Sequence, residues 1–221
     1  FVVQARMSRK LRHVEALIAS HPSLEAVRGQ IEEAVHTLVS CFREGGKLLV
    51  CGNGGSCADA DHIVGELVKG FLKRRPLPEE VRGRIRAALP EGGQELAESL
   101  QGGLPAINLA AHTSLLTAFG NDVSAEYAYA QQVVAYGRPG DVLLGISTSG
   151  NARNVAAAVA TARALGLHTL GLTGAGGGRL REAAHVTIAV PAAETFRVQE
   201  LHLPVYHALC AEVEEALFGG D

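Results

Sequence analysis

The sequence predicts an α/β chain built on a single doubly wound sheet of five parallel strands flanked by helices, and three observations lead there. Five short, largely apolar runs, at 47–51, 105–109, 141–146, 168–173 and 186–190, have strand length and the composition of strands covered on both faces. Segments of helical period separate them, so strands alternate with helices through right-handed crossovers. Two of the runs end in turns of small residues: Lys47–Cys51 leads into Gly52-Asn53-Gly54-Gly55-Ser56, and Asp141–Gly145 leads into Ile146-Ser147-Thr148-Ser149-Gly150-Asn151.

The elements follow in order within one domain, 1–221. Residues 1–45 are read as N-terminal helices; Leu24, Val27, Ile31, Val35, Leu38 and Phe42 form a stripe close to coiled-coil spacing. The chain opens Phe1-Val2-Val3 with Met7 its only methionine, so its first residues are expected to be incomplete or tag-derived. A helix after the first strand carries His62 and Glu66. At 72–104 comes a helical insertion: Pro76-Leu77-Pro78 should break the preceding helix, and 79–89 and 94–100 read as short charged helices around Pro90-Glu91-Gly92-Gly93. It reads as a flap near the sheet mouth or as surface elaboration. Asn151 is expected to cap a helix running to Leu165, with Val155, Ala158, Val159 and Ala162 inward. The glycine-rich 174–178 is a loop at the strand ends. A last helix, 197–218, carries Val198, Leu201, Val205, Leu209, Val213 and Leu217. Two such apolar stripes exceed what one sheet face covers, so a helical oligomer seam is expected.

Composition removes several function classes. Of 221 residues 47% are apolar and 19% charged, a globular balance rather than a disordered one. A net charge of −3 with no basic cluster beyond Lys73-Arg74-Arg75, and no tryptophan, argue against nucleic acid as partner. No apolar run reaches the roughly 18 residues that span a bilayer, so a cytoplasmic protein without membrane contact is expected. Cys41, Cys51, Cys57 and Cys210 lack C-x-x-C spacing and read as free thiols.

The two turns carry the first chemical signal. Small residues at a strand-to-helix turn let backbone N–H groups close on an anion, and the helix N-terminus adds its positive dipole end. Asn53, Gly54, Gly55 and Ser56 form one such cradle; Ser147, Thr148, Ser149 and Asn151 form the other. There is no G-x-x-x-x-G-K-[ST] and no G-x-G-x-x-G with a following acidic residue. Hydroxyl-rich cradles without a lysine suit a phosphate monoester such as a sugar phosphate.

The second signal is a set of polar residues at helical spacing. His62 and Glu66 are four apart and share a helix face. On a surface helix that pair would be solvated; here its helix starts at the first cradle. On the last helix Gln199, Glu200 and His207 are candidates, and projection alone does not choose between Gln199 and Glu200. Pro204 is expected to kink that helix and free the Glu200 carbonyl.

These motifs together resemble the sugar isomerase (SIS) domain. Gly52–Ser56, His62-Ile63-Val64-Gly65-Glu66, Gly120-Asn121-Asp122 and Gln199-Glu200 through His207 resemble, in order and over nearly the whole chain outside 72–104, the bacterial phosphoheptose isomerases. The resemblance implies a SIS-type fold and a homotetramer with active sites shared between subunits. It implies that sedoheptulose 7-phosphate is converted to D-glycero-D-manno-heptose 7-phosphate through an enediol, for nucleotide-activated heptose synthesis. It favours Gln199 over Glu200, puts His202 on another face and adds Asn121 and Asp122 to the sugar-binding set. His62, Glu66, Gln199 and His207 then offer two imidazoles, a carboxylate and an amide oxygen, a donor set for one Zn²⁺ per subunit. Glu66 is the expected base and His207 the partner acid/base, unless metal occupies its ring nitrogen. Departures fall on the sugar side: Ala152, Gly70 and Phe196 stand where the family often has serine, arginine and aspartate. Two alternatives stay open: an isomerase of a hexose or pentose phosphate, and a non-catalytic SIS-type adaptor, against which Glu66 and His207 both speak.

Overall fold

A computed structural model describes residues 11–219; the opening residues, Met7 among them, lie outside the described residues. Helix α1 (Arg12–Ser20), a 3-10 turn (Pro22–Val27) and α2 (Arg28–Arg43) precede β1 (Leu48–Gly52). Then come α3 (Gly55–Val68), α4 (Glu79–Ala88), α5 (Gly93–Ser99), β2 (Ala106–Asn108), α6 (Thr113–Phe119) and α7 (Ala128–Tyr136). The second half runs β3 (Val142–Ile146), α8 (Arg153–Ala164), β4 (His168–Gly174), α9 (Gly178–Ala183), β5 (Val186–Val190) and α10 (Thr195–Phe218).

The five strands pair in the order β2-β1-β3-β4-β5, all parallel. From β1 the chain goes first to β2 on one side and then to β3 on the other, so the winding reverses between β1 and β3. Ligands of open α/β sheets bind beyond the strand ends at such a switch point. Both small-residue turns leave the sheet there.

Side chains alternate across the sheet and build two cores. Leu48 and Val50 of β1 face a layer made by α1, α2, α3 and α10, while Leu49 and Cys51 face Val133, Val155, Val159 and Leu180 on α7, α8 and α9. The stripes on α2 and α10 are consumed here: Leu24, Ile31, Val35, Leu38, Val198, Val205, Leu209 and Val213 are all buried within the chain. Phe42, Leu201 and Leu217 of the same stripes are only partly buried. Three buried glutamates tie the end of α10 to its surroundings. Glu212 accepts from the His13 and Val14 amides at the start of α1, Glu214 pairs with Arg75, and Glu215 pairs with Arg12 and Lys73. No helix among the described residues is long and apolar enough to cross a membrane.

Three local expectations change. Helix α3 ends at Val68, well before Pro76, so the prolines do not terminate it. Asn151 does not cap α8: Ala152 occupies that position, while the Asn151 amide donates to Ser149 O (3.0 Å) and accepts from the Arg179 amide (3.2 Å). The insertion is not at the sheet mouth. It joins the far end of α3 to the start of β2, closed at its root by pairing of Pro76 with Gln101, by Gly102 N donating to Arg75 O (2.7 Å) and by Leu104 N donating to Leu67 O (2.9 Å). Helices α4 and α5 pack mainly on each other, and Leu72, Leu89, Leu96 and Leu100 stay exposed on and beside them.

Candidate functional site

The phosphate end is built from the turns after β1 and β3. Helices α3 and α8 both start without a side-chain cap, so each presents the positive end of its dipole to an anion, although Ser56 N and Cys57 N of α3 already bond to Asn53 O (3.1 Å) and Gly54 O (3.0 Å). The turns are stitched together by reciprocal amide bonds between Asn53 and Asn154, both 2.9 Å. Tyr129 donates its hydroxyl to Gly52 O (2.8 Å); burial raises that phenol to about 12, so it stays a neutral donor. Ser147 is buried and accepts from the Ala152 amide (3.4 Å); Ser149 is exposed and accepts from the Asn151 amide (3.2 Å), which leaves its proton free to donate. Gly150 is obligatory. Its φ of +68° is a left-handed conformation, and a Cβ there would stand 1.9 Å from Gly177 O. Ser56 is buried behind Asn53, Gly54 and Gly55, which are exposed at the surface of the turn.

At the other end of α3 a second cluster forms. His62 Nε2 lies 3.3 Å from Glu66 Oε1 and 3.4 Å from His207 Nε2, and Lys69 Nζ donates to Glu66 Oε2 at 2.9 Å. Tyr206 donates to Asp59 Oδ1 (3.3 Å), so its oxygen accepts from His62 Nδ1–H (3.0 Å). That places the lone pair of His62 on Nε2, facing a carboxylate and a second imidazole nitrogen. With Glu66 Oε1 and His207 Nε2 both beside this lone pair, a proton carried on His207 Nε2 or a cation between the groups satisfies the cluster. Burial, and then the neighbouring His62, lower the His207 pKa, with Glu66 opposing; its neutral form is favoured. Burial raises the Asp59 pKa, and its second oxygen has no partner.

Adjacent ligands of a tetrahedral zinc stand about 3.3 Å apart for bonds of about 2.0–2.1 Å, the separations His62 makes with its two neighbours. The Tyr206 bond to its other nitrogen is the kind of outer contact that orients a metal-binding imidazole. Glu66 and His207 are nonetheless linked only through His62: among the described residues no group of three or more His, Cys, Asp or Glu stands assembled as a metal site.

Of the sequence-predicted residues, the structure thus brings His62, Glu66 and His207 together, and separately Asn53, Gly54, Gly55, Ser56, Ser147, Thr148, Ser149 and Asn151. Gln199 joins the second group: its amide packs on Gly55 so closely that a Cβ there would lie 2.2 Å from Nε2. It does not meet His62 within one chain. Asn121 donates to Asp122 (2.9 Å), both are exposed, and neither bonds to the turns among the described residues. Sequence reasoning missed Tyr129, Asn154, Asp59 and Tyr206. Only the last two carried a signal: Asp59 precedes His62 by three positions on one helix face, and Tyr206 adjoins His207.

Comparison with known proteins agrees with this architecture. The SIS domain family model matches residues 13–101 and 92–174. The phosphoheptose isomerase of Rhodospirillum rubrum is 41% identical over 187 residues, covering 85% of this chain and 86% of that protein. That of Akkermansia muciniphila is 37% identical over 215 residues, 97% of this chain and 100% of its own. Among solved structures, the phosphoheptose isomerase GmhA of Neisseria gonorrhoeae superposes with a TM-score of 0.71 at 33% identity, covering 92% of this chain and 96% of that one. A phosphoheptose isomerase from Francisella tularensis gives 0.70 at 30%, covering 91% and 94%. With identity at this level along almost its full length, and the same five-stranded frame, the chain belongs to the phosphoheptose isomerase family of SIS-domain proteins.

Proposed function

We propose that this protein interconverts sedoheptulose 7-phosphate and D-glycero-D-manno-heptose 7-phosphate, supplying nucleotide-activated heptose synthesis in the cytoplasm. The observation that carries the reading is the convergence of His62, Glu66 and His207 in a chain of this family. The phosphate sits between the N-termini of α3 and α8, taking donors from the backbone and from Thr148 and Ser149. Glu66 removes a proton from C1 of the ketose; the electrons of that bond form the C1=C2 bond of an enediol as O2 gains a proton. The O1 proton then leaves, and a proton returned to C2 yields the aldehyde at C1. His207, kept neutral, passes the proton between O1 and O2.

A zinc ion fits the donor types present and would be held by His62, Glu66 and His207, polarising the sugar oxygens when bound. An imidazole that gives Nε2 to a metal cannot pass a proton through that atom, so with metal present His207 would serve only to hold and orient.

The two clusters point to more than one copy per site. Ten residues separate Ser56 from Glu66, about 15 Å along a helix at 1.5 Å per residue. From C1 or C2 of a heptose to its phosphate is roughly 9 Å for bonds near 1.5 Å. One chain's cradle and its own Glu66 are too far apart to share a sugar. The homotetramer with shared sites answers this: one copy seats the phosphate and brings Gln199, another supplies Glu66 and His207. A screen of sedoheptulose 7-phosphate beside hexose and pentose phosphates tests the substrate. Turnover of a shorter sugar alone would move the assignment to that class, in keeping with the changed side chains at Gly70, Ala152 and Phe196.

A further inference from the structure

Resting on that isomerase reading, we infer that Arg75 and Glu214 are positioning residues that set the distance between Glu66 on α3 and His207 on α10. Neither touches the reacting groups. Their side chains are 0% and 1% exposed and meet at 2.8 Å. Arg75 Nη1 donates to Leu67 O (2.7 Å) and Nη2 to Glu66 O (3.3 Å), so one guanidinium binds the last carbonyls of the helix carrying the base. Those carbonyls have no helical partners of their own, and a cation there also matches the negative end of the helix dipole. The face of Arg75 lies 4.6 Å over the Phe218 ring, near the end of α10.

Glu214 completes the link from the other helix. It follows His207 by seven residues, two turns on, and so shares its face. Oε1 accepts from the Phe71 amide and Arg75 Nε, both 2.8 Å; Oε2 accepts from the Leu72 (2.7 Å) and Lys73 (3.0 Å) amides. Every lone pair direction is in use, and the segment leading from the base helix into the insertion is wrapped around this one carboxylate. A buried ion pair is a poor way to gain stability over apolar packing, and its best-attested use is to fix register. Here it fixes the register of α3 against α10, and with it the separation of 3.4 Å between His62 and His207.

The test is the paired variant R75M/E214Q, which removes both charges together and leaves neither buried alone, with R75K as a milder change that keeps the charge but cannot span both carbonyls. Steady-state kinetics with sedoheptulose 7-phosphate and a crystal structure of each variant are the readouts. A misplacement of about 1 Å costs roughly 10²-fold, so kcat should fall by about that factor in the paired variant and by less in R75K. KM should stay within about threefold, because binding through the phosphate is untouched. The His62–His207 separation should widen in the crystal. A folded variant with normal kcat and an unchanged separation overturns the inference, as does a loss of rate that only follows the unfolded fraction. Should the paired variant not fold, R75K decides by the same criteria. A wild-type protein inactive on this sugar would count against the proposed substrate, while the separation in the crystal still decides the role of the pair.

Discussion

His202 should make this protein sensitive to mild acid, and the size of the effect can be worked out. The residue faces inward from α10, is 0% exposed, and neither ring nitrogen has a hydrogen-bond partner. Burial pushes its pKa from 6.5 down to about 4. The unfolded chain then takes up a proton near pH 6.5 while the folded one resists until about 4. Stability is thus intact above pH 6.5 and is lost as pH falls through that window. At 1.36 kcal/mol per unit the full loss is about 3 kcal/mol, and about 2 kcal/mol of it arrives between pH 7 and pH 5. For a chain of this length that is a drop of roughly 4–8 °C in Tm. His202→Leu keeps the volume, removes the proton site and leaves no unpartnered nitrogen. His185 and His207, also held low, titrate in both proteins, so the difference between them isolates His202. Thermal unfolding of both at pH 7 and pH 5, at one fixed protein concentration, should show the variant losing about 2 kcal/mol less than the parent. Equal losses in the two proteins would refute the reasoning.

Three further outcomes follow from the site. Ser149→Ala removes a hydroxyl free to donate to an anion and should raise KM about tenfold or more with kcat nearly constant, since a hydrogen bond to a charge contributes about 1.5–3 kcal/mol; a fall in kcat alone would place Ser149 outside the phosphate cradle. Purified protein should hold about one Zn²⁺ per subunit, lost to chelator together with activity and lost in His62→Ala; a metal-free protein of full activity would leave Glu66 and His207 as a purely proton-transferring pair. Replacing Leu77–Leu100 by a short Gly/Ser link, with Arg75 and Gln101 kept, should leave a folded protein whose kcat and KM change together, because the hairpin is rooted on the end of the helix that carries Glu66. An unchanged oligomer with unchanged kinetics would show that the hairpin takes no part.

The frame was legible because parallel strands covered on both faces are written as largely apolar runs: each expected strand overlaps the observed one, with ends displaced by at most one residue. The cradle was legible for the same local reason, since a turn's residues are contiguous in sequence. Asn151 misled because an asparagine before a helix is a good cap by type, yet its side chain is claimed by Ser149 and Arg179, contacts set by the distant β4–α9 turn. How much of the apolar stripes lies inside the chain was not legible. Their burial depends on how many helices share one sheet face, and α1, α2, α3 and α10 crowd the same side. Glu214 and Arg75 were invisible because 139 positions separate them. Gln199 shows the limit most clearly: helical projection gives its angle relative to His207, while its height along the helix sets it beside Gly55 instead.

The central claim is that Glu66 moves a proton between the first two carbons of a heptose phosphate, and proton NMR in D₂O observes that step itself. With sedoheptulose 7-phosphate the protein should generate aldose signals while deuterium enters at the carbon that receives the proton. Glu66→Gln, nearly identical in shape, should slow both by about 10²–10⁴-fold. Aldose formation at an undiminished rate in Glu66→Gln, or no aldose from this sugar with the unaltered protein, would contradict the account.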